Sequence, residues 1–176
     1  LSTLTYGFTE WLDAHTVAIG ERRVTADSVL IATGCWPGRP AIPGIEHAIT
    51  SNEAFELPAL PRRILIVGGS YVAAEFAGIF GGLGAEVTVC YRGEQILRGF
   101  DDDVCRHLYL EMGKKGVRIL LKSEVSRIAR RADGRLEATL SGDPGGSFEC
   151  DAVMIATGRT PNPARLGLAE AGVKLD

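Results

Sequence analysis

Apolar positions along this chain fall into two patterns: unbroken runs and stripes at helical spacing. The runs are RILIV before Gly68, AEVTVCY, VRILL and DAVMI. Continuous apolar runs of this length, bounded by glycine or charge, predict strands buried on both faces of a parallel sheet. Between the first two lies SYVAAEFAGIFGGLGA, which predicts a helix ended by glycines. Strand, helix and strand together make a β-α-β unit of about thirty residues. FDDDVCRHLYLEMGKKG predicts a second helix, with Asp101 as cap and further acids in its first turn. Lys114 and Lys115 stand at its end and Gly116 closes it, which suits the helix dipole at both ends. Val104, Leu108 and Met112 recur at i, i+4 and i+8 and predict the face it buries. After VRILL, the stretch VSRIARRADGRLEATLSGDPGGSFEC reads as strand, turn, strand, longer turn, strand. Earlier, residues 15–31 predict a hairpin and then a strand: HTVAI alternates, GE turns and RRVTADSVLI runs back. ATGCWPGRPAIPG is a loop or linker. SNEAFEL predicts a short helix with Ser51 or Asn52 as N-cap, stopped by PALPRR. The fold class is α/β, a parallel sheet of β-α-β build with a β-meander.

One strand and turn is written twice. DSVLIATG at Asp27–Gly34 and DAVMIATG at Asp151–Gly158 agree at six of eight positions. Each follows an antiparallel hairpin or meander. The second closes a domain that opens at the glycines after RILIV. By parity the first closes a similar domain whose glycine-rich opening would lie upstream. Convergence is the alternative, since apolar strands ending in Ala-Thr-Gly arise easily. The reading is therefore residues 1–45 as the tail of one nucleotide-binding domain and a linker, 46–158 as a complete one, and 159–176 as a return toward the first. Leu1 in place of Met agrees with a missing upstream part.

Composition narrows the class. The chain has 176 residues, 45% of them apolar, so a core can be buried. A net charge of -3 gives no electrostatic footprint for nucleic acid. No apolar run approaches the ~20 residues a membrane span needs, and no signal peptide opens the chain. Cys35, Cys90, Cys105 and Cys150 are widely spaced, without CxxC or metal-ligand spacing, and predict reduced thiols of a cytoplasmic protein with no metal. His15, His47 and His107 read as surface or satisfied histidines.

ILIVGGSYVAAE carries the candidate chemistry. A G-x-G-x-x-G/A fingerprint needs a strand before it and a helix after it, and both are predicted here. Gly68 makes the tight turn, Gly69 keeps the backbone bare beside it, and Ala73 lets the helix lie close to the strand. The helix start then offers N–H groups to a pyrophosphate. That is a Rossmann-like dinucleotide site with one departure: Ser70 stands where the second glycine belongs. A tight turn without a ligand has the same local signature. The end of the next strand weighs against that. There an NAD site places an acid for the ribose 2′-OH; here Tyr91 holds that place, Arg92 follows, and Arg98 comes soon after. Two guanidiniums suit a 2′-phosphate. The alternative is two solvated arginines with Glu94 as a local partner.

GGSYVAAEFAGIFGGLGAEVTVCYRGEQILRGFDDD resembles the NADPH domain of the flavoprotein pyridine nucleotide-disulfide oxidoreductases, the glutathione reductases among them most closely. The likeness covers nearly the whole chain and implies an FAD/NAD(P)-binding type of domain. It implies hydride transfer from NADPH to FAD, then electrons to a cysteine pair and to a disulfide such as glutathione disulfide, in a homodimer when full length. Tyr71 matches the tyrosine that covers the flavin, Val72 follows it in the NADP turn, and Glu75 matches a glutamate beside the nicotinamide. Arg92 and Arg98 match the 2′-phosphate arginines, and Gly158 a glycine near NADP. Thr33, Gly34 and Arg159 match FAD-proximal positions. The family's FAD fingerprint, cysteine pair and His-Glu proton donor have no counterpart here, so no catalytic residue is expected beyond the Tyr71 gate, and the chain alone is expected to be inactive. Ser70 also fits the large thioredoxin reductases. A stand-alone NADP-binding module without catalysis is the other class of reading.

Overall fold

The computed structural model describes Thr5 and residues 7–175. The chain divides into two units, Leu1–Trp36 with Thr160–Asp176, and Pro37–Arg159. In the first unit, β1 (Thr9–Trp11), β2 (Thr16–Ile19) and β3 (Arg22–Thr25) form an antiparallel sheet in that order. Gly20, at φ 59, turns β2 into β3 as the hairpin pattern predicts. β1 lies outside the predicted elements, its three residues being too few for an alternation to register. Trp11, Val17, Leu166 and Leu168 are buried together, and Val29 and Ile31 pack against them. The strand predicted over the rest of RRVTADSVLI stops at Thr25, and Asp27–Ile31 carries no strand. Its Val29 and Ile31 turn inward while Leu30 is 88% exposed. One apolar face is satisfied there, but no strand among the described residues offers it a hydrogen-bonded ladder.

The second unit is layered. β4 (Cys35–Pro37) leads into it from a stretch read as loop. α1 (Ser51–Ala54) is shorter than predicted, and its N-cap is Thr50, not Ser51 or Asn52. The Glu53 carboxylate accepts from the Thr50 N–H at 2.7 Å and from its hydroxyl at 2.6 Å. Those bonds hold the Glu53 pKa below the usual carboxylate value. This capping box is displaced one residue from the expected cap. Then follow β5 (Arg63–Val67), α2 (Tyr71–Gly82), β6 (Glu86–Cys90), α3 (Asp102–Lys114) and β7 (Arg118–Leu120), the predicted alternation. β8 (Ser123–Arg130), β9 (Leu136–Gly142) and β10 (Gly146–Cys150) form the meander, and β11 (Ala152–Ile155) returns to the parallel sheet, ordered β11-β5-β6-β7. β12 (Arg159–Pro161) pairs with β4.

β5 explains why its sequence is apolar throughout. Ile64 and Ile66 face a cluster with Phe76, Ala77, Phe80, Cys105 and Met112 of the helices. Leu65 and Val67 face one with Val125, Leu136, Ala138 and Leu140 of the meander. Each fully buried aliphatic side chain contributes about 1.5–3 kcal/mol. In α3, Asp101 accepts from the N–H groups of Asp103 and Val104 at 2.9 and 3.3 Å, as predicted for the cap. The buried stripe, however, is Cys105, the partly buried Leu108 and Met112, while Val104 is 52% exposed. A small cysteine at i, i+3 and i+7 spacing supplies the face that Val104 was expected to supply.

Candidate nucleotide-binding site

The ends of β5 and β6 with the turns that follow them, the turn after β11 and the start of β8 enclose a cleft of about 460 Å³. Its floor is the turn after β5. Gly68 has φ 139, and a Cβ there would lie 2.2 Å from the Ala156 carbonyl oxygen. No other residue fits both constraints. Gly69 is needed for a different reason: a Cβ there would sit 2.5 Å from the ring of Tyr91. The expectation of a bare backbone holds, and the ring lies directly against it. Ala73 is buried in the helix–sheet core, as its place in the fingerprint requires. Ser70 occupies the N-cap position of α2 without capping it through its side chain. Its hydroxyl donates instead to the Ala156 carbonyl at 3.3 Å, tying the turn to the end of β11. No acid stands in the first turn of α2, so nothing there opposes an anion at the exposed N–H groups.

Tyr91, Arg92 and Arg98 form the next wall. Leu97 holds this loop down. It has φ 58, a strained value for leucine, and its N–H donates to the Gly69 carbonyl at 2.6 Å. Its side chain is buried, and the Cys105 thiol donates to its carbonyl at 3.4 Å. Arg98 therefore starts from a fixed point on the fingerprint turn. Glu94 does not pair with either arginine. It pairs with Lys122 at 2.9 Å; the hydrogen bond and the charge of Lys122 lower its pKa, and those of Glu94 raise that of Lys122. Among the described residues neither Arg92 nor Arg98 has a hydrogen-bond or ion-pair partner. Cys90, at the base of the cleft, is buried and its thiol is pushed up to about 11 by desolvation, so it is inert at neutral pH.

A smaller cavity of about 180 Å³ brings together Ser70, Tyr71 and Val72 with Ser51, Gly158 and Arg159. Tyr71 is 54% exposed there. Glu75 is exposed one turn further along α2 and lines neither cavity. Thr33 and Gly34 belong to the other unit. The Thr33 hydroxyl donates to the Asn162 carbonyl at 2.9 Å, and Gly34, at φ 75, accepts from the Asn162 N–H at 3.0 Å. Sequence reasoning missed Pro40, Ser123, Glu124 and Thr157, all in the large cleft. Their common signal is position: ligands of doubly wound sheets gather beyond the carboxyl ends of strands, and Ser123, Glu124 and Thr157 all follow such ends. Among the described residues no group of three metal-ligating side chains converges, and no helix is long and apolar enough to cross a membrane.

Residues 3–176 match the family described as pyridine nucleotide-disulphide oxidoreductase. The chain is 46% identical over 162 residues to a glutathione reductase of Nostoc sp., covering 92% of this chain and 35% of that protein. It is 42% identical over 158 residues to the trypanothione reductase of Trypanosoma congolense, covering 88% and 32%. Among solved structures, the HOCl-induced flavoprotein disulfide reductase RclA from Escherichia coli superposes with a TM-score of 0.81 at 27% identity, over 97% of this chain and 39% of that one. The chain thus spans about a third of the length of the curated relatives it matches.

Proposed function

The chain belongs to the pyridine nucleotide-disulphide oxidoreductase family, and on that premise we propose that it is the NADPH-binding portion of an FAD-dependent disulfide reductase most like glutathione reductase. The observation that carries this reading is the pair Arg92 and Arg98, two guanidiniums without partners among the described residues, lining a cleft floored by the fingerprint turn. An acid at the end of β6 would favour a bare ribose hydroxyl; Tyr91 stands there instead. Forked cations beside the ribose position suit a 2′-phosphate, and the acid-free start of α2 suits the pyrophosphate. Tyr71, half-exposed in the smaller cavity with Val72 and Gly158, is the residue that would cover the flavin and yield to nicotinamide. Thr33, Gly34 and Arg159 stand at positions that the family likeness assigns to the neighbourhood of an FAD. When bound, the two coenzymes supply hydride transfer from NADPH to FAD and electrons for a redox disulfide and then glutathione disulfide.

A homodimeric, cytoplasmic full-length enzyme acting on glutathione disulfide is the fuller form of this proposal. The trypanothione reductases among the relatives favour a second substrate in the same chemical class, and Ser70 favours a thioredoxin reductase-like one. The coenzyme assignment is tested by titrating NADPH and NADH against wild type and an Arg92→Ala/Arg98→Ala variant. Charge-assisted hydrogen bonds contribute roughly 1.5–3 kcal/mol each, so NADPH affinity should fall by about a hundredfold or more while NADH affinity holds. Equal losses for both coenzymes, or a wild type that prefers NADH, would discard the assignment.

A further inference from the structure

The cleft has a third wall that the arginines and the fingerprint do not explain. Beyond β7 the chain turns a corner that is pinned to the loop carrying Tyr91. The Tyr91 N–H donates to the Leu120 carbonyl at 2.8 Å, the Ser123 N–H to the Tyr91 carbonyl at 3.1 Å, and the Lys122 N–H to the Gly93 carbonyl at 3.0 Å. Ser123 is buried, and its hydroxyl reaches the carbonyls of Leu121 and Pro144 at 3.0 and 3.2 Å. Lys122 takes a left-handed φ of 54, and a Cβ on Gly142 would strike its carbonyl oxygen at 2.0 Å. The next residue on this fixed corner is Glu124, which lines the cleft. Strand alternation buries Ser123 and Val125 and leaves Glu124 exposed. Lys122, the cation two residues before it, is committed to Glu94. Among the described residues the Glu124 carboxylate has no hydrogen-bond or ion-pair partner.

A carboxylate in a cleft built for a phosphate is a cost unless it meets a donor on the same ligand. Adenosine 2′-phosphate carries both kinds of group: an anion for Arg92 and Arg98, and an exocyclic amino group on the base. The cleft also carries the ring of Tyr91, an aromatic surface on the wall that joins the arginines to the pinned corner. Building on the NADPH reading above, we propose that Glu124 accepts a hydrogen bond from the adenine 6-amino group, and so selects the base as the arginines select the phosphate. A strand-borne acceptor fixed by backbone bonds needs no rearrangement to do this.

The test is calorimetric titration of the chain with NADPH and with its hypoxanthine analogue, which has a carbonyl oxygen in place of the amino group. Wild type should prefer the adenine coenzyme by ~tenfold or more, the ratio for one charge-assisted hydrogen bond. Glu124→Gln should bring the two within about threefold, because a carboxamide can turn its N–H toward the carbonyl. Glu124→Ala should lose the preference by weakening NADPH alone. Arg92→Ala/Arg98→Ala should keep the base preference at lower affinity. Thermal stability should not change in the Glu124 variants, since the side chain has no partner to lose. An unchanged base preference in Glu124→Gln would overturn the proposal. So would equal tightening of both coenzymes, which would mark Glu124 as a mere repulsor of the phosphate. A wild type that binds NADPH without discriminating the bases would overturn this assignment alone. One that does not bind NADPH would overturn the coenzyme reading and this one with it.

Discussion

Asp27–Gly34 and Asp151–Gly158 differ at two residues in eight, and they are built differently. In the second copy Ala152–Ile155 is a strand, paired in parallel with β5 from Ala152 opposite Ile64 to Ile155 opposite Val67. Val153 and Met154 are fully buried, one against the meander and one against the helices. In the first copy the same pattern has one packed face, no ladder and an outward Leu30. The octapeptide therefore encodes a surface that fits a sheet, and the neighbouring strand decides whether a strand forms. The buried polar backbone of the second copy is satisfied by β5 on one side and by Ile49 on the other, whose N–H donates to the Val153 carbonyl and whose carbonyl accepts from the Ile155 N–H, each at 2.8 Å.

The largest expected effect comes from equivalent positions in the two copies. Met154→Ala should cost about 2–5 kcal/mol, the range for emptying a buried site, while Leu30→Ala should stay within about 0.5 kcal/mol. Urea midpoints at constant m-value measure both. Similar losses at the two sites would erase the difference between the two copies. The terminal glycines should separate next. Gly34 sits at φ 75 and Gly158 at φ 137, and neither has atoms near a would-be Cβ. Asparagine tolerates the left-handed region but not the second value. Gly158→Asn should cost about 1–3 kcal/mol and Gly34→Asn under about 1 kcal/mol, read by the same unfolding curves.

The smallest effect is one of pH. Cys150 precedes the second copy and Ala26 the first. Burial pushes the Cys150 thiol up to about 12 from an ordinary 9.0. A raised folded-state value means that the fold favours the protonated thiol. Its contribution is complete below the unfolded value and is lost as pH rises toward 12. At pH 9 the loss is a few tenths of a kcal/mol, and it grows above that. Cys150→Ala should remove this part of the alkaline decline, and an unchanged decline would show that the thiol does not titrate with unfolding.

Where one local pattern carried all the information, it could be read. The unbroken runs of β5, β6 and β11 required two buried faces, and Asp101 had its acids and lysines to mark both ends of α3. Gly68 was legible because the turn and the strand contact both demand glycine. What escaped depends on groups distant in sequence. The reason Gly69 is glycine is the ring of Tyr91, and the partners of Glu94 and Ser70 are Lys122 and Ala156. Thr50 was hidden for a local reason, since Ser51 and Asn52 are equally good caps and only the Glu53 bonds choose among the three. The arginine pair was visible from its place after β6. Glu124 was not, because its strand-end position has meaning only once β7 is known to adjoin β6.

The unit Pro37–Arg159 begins and ends at one place: the Gly38 N–H donates to the Gly158 carbonyl at 2.9 Å. A module whose two ends lie one hydrogen bond apart is topologically a closed loop. It can be cut out, joined end to end and reopened elsewhere, as in circular permutation, or set into a surface turn of an unrelated host without prying that turn apart. The same closure lets such a module be transferred whole between proteins during evolution, carrying its cleft, its arginines and its pinned corner as one heritable part.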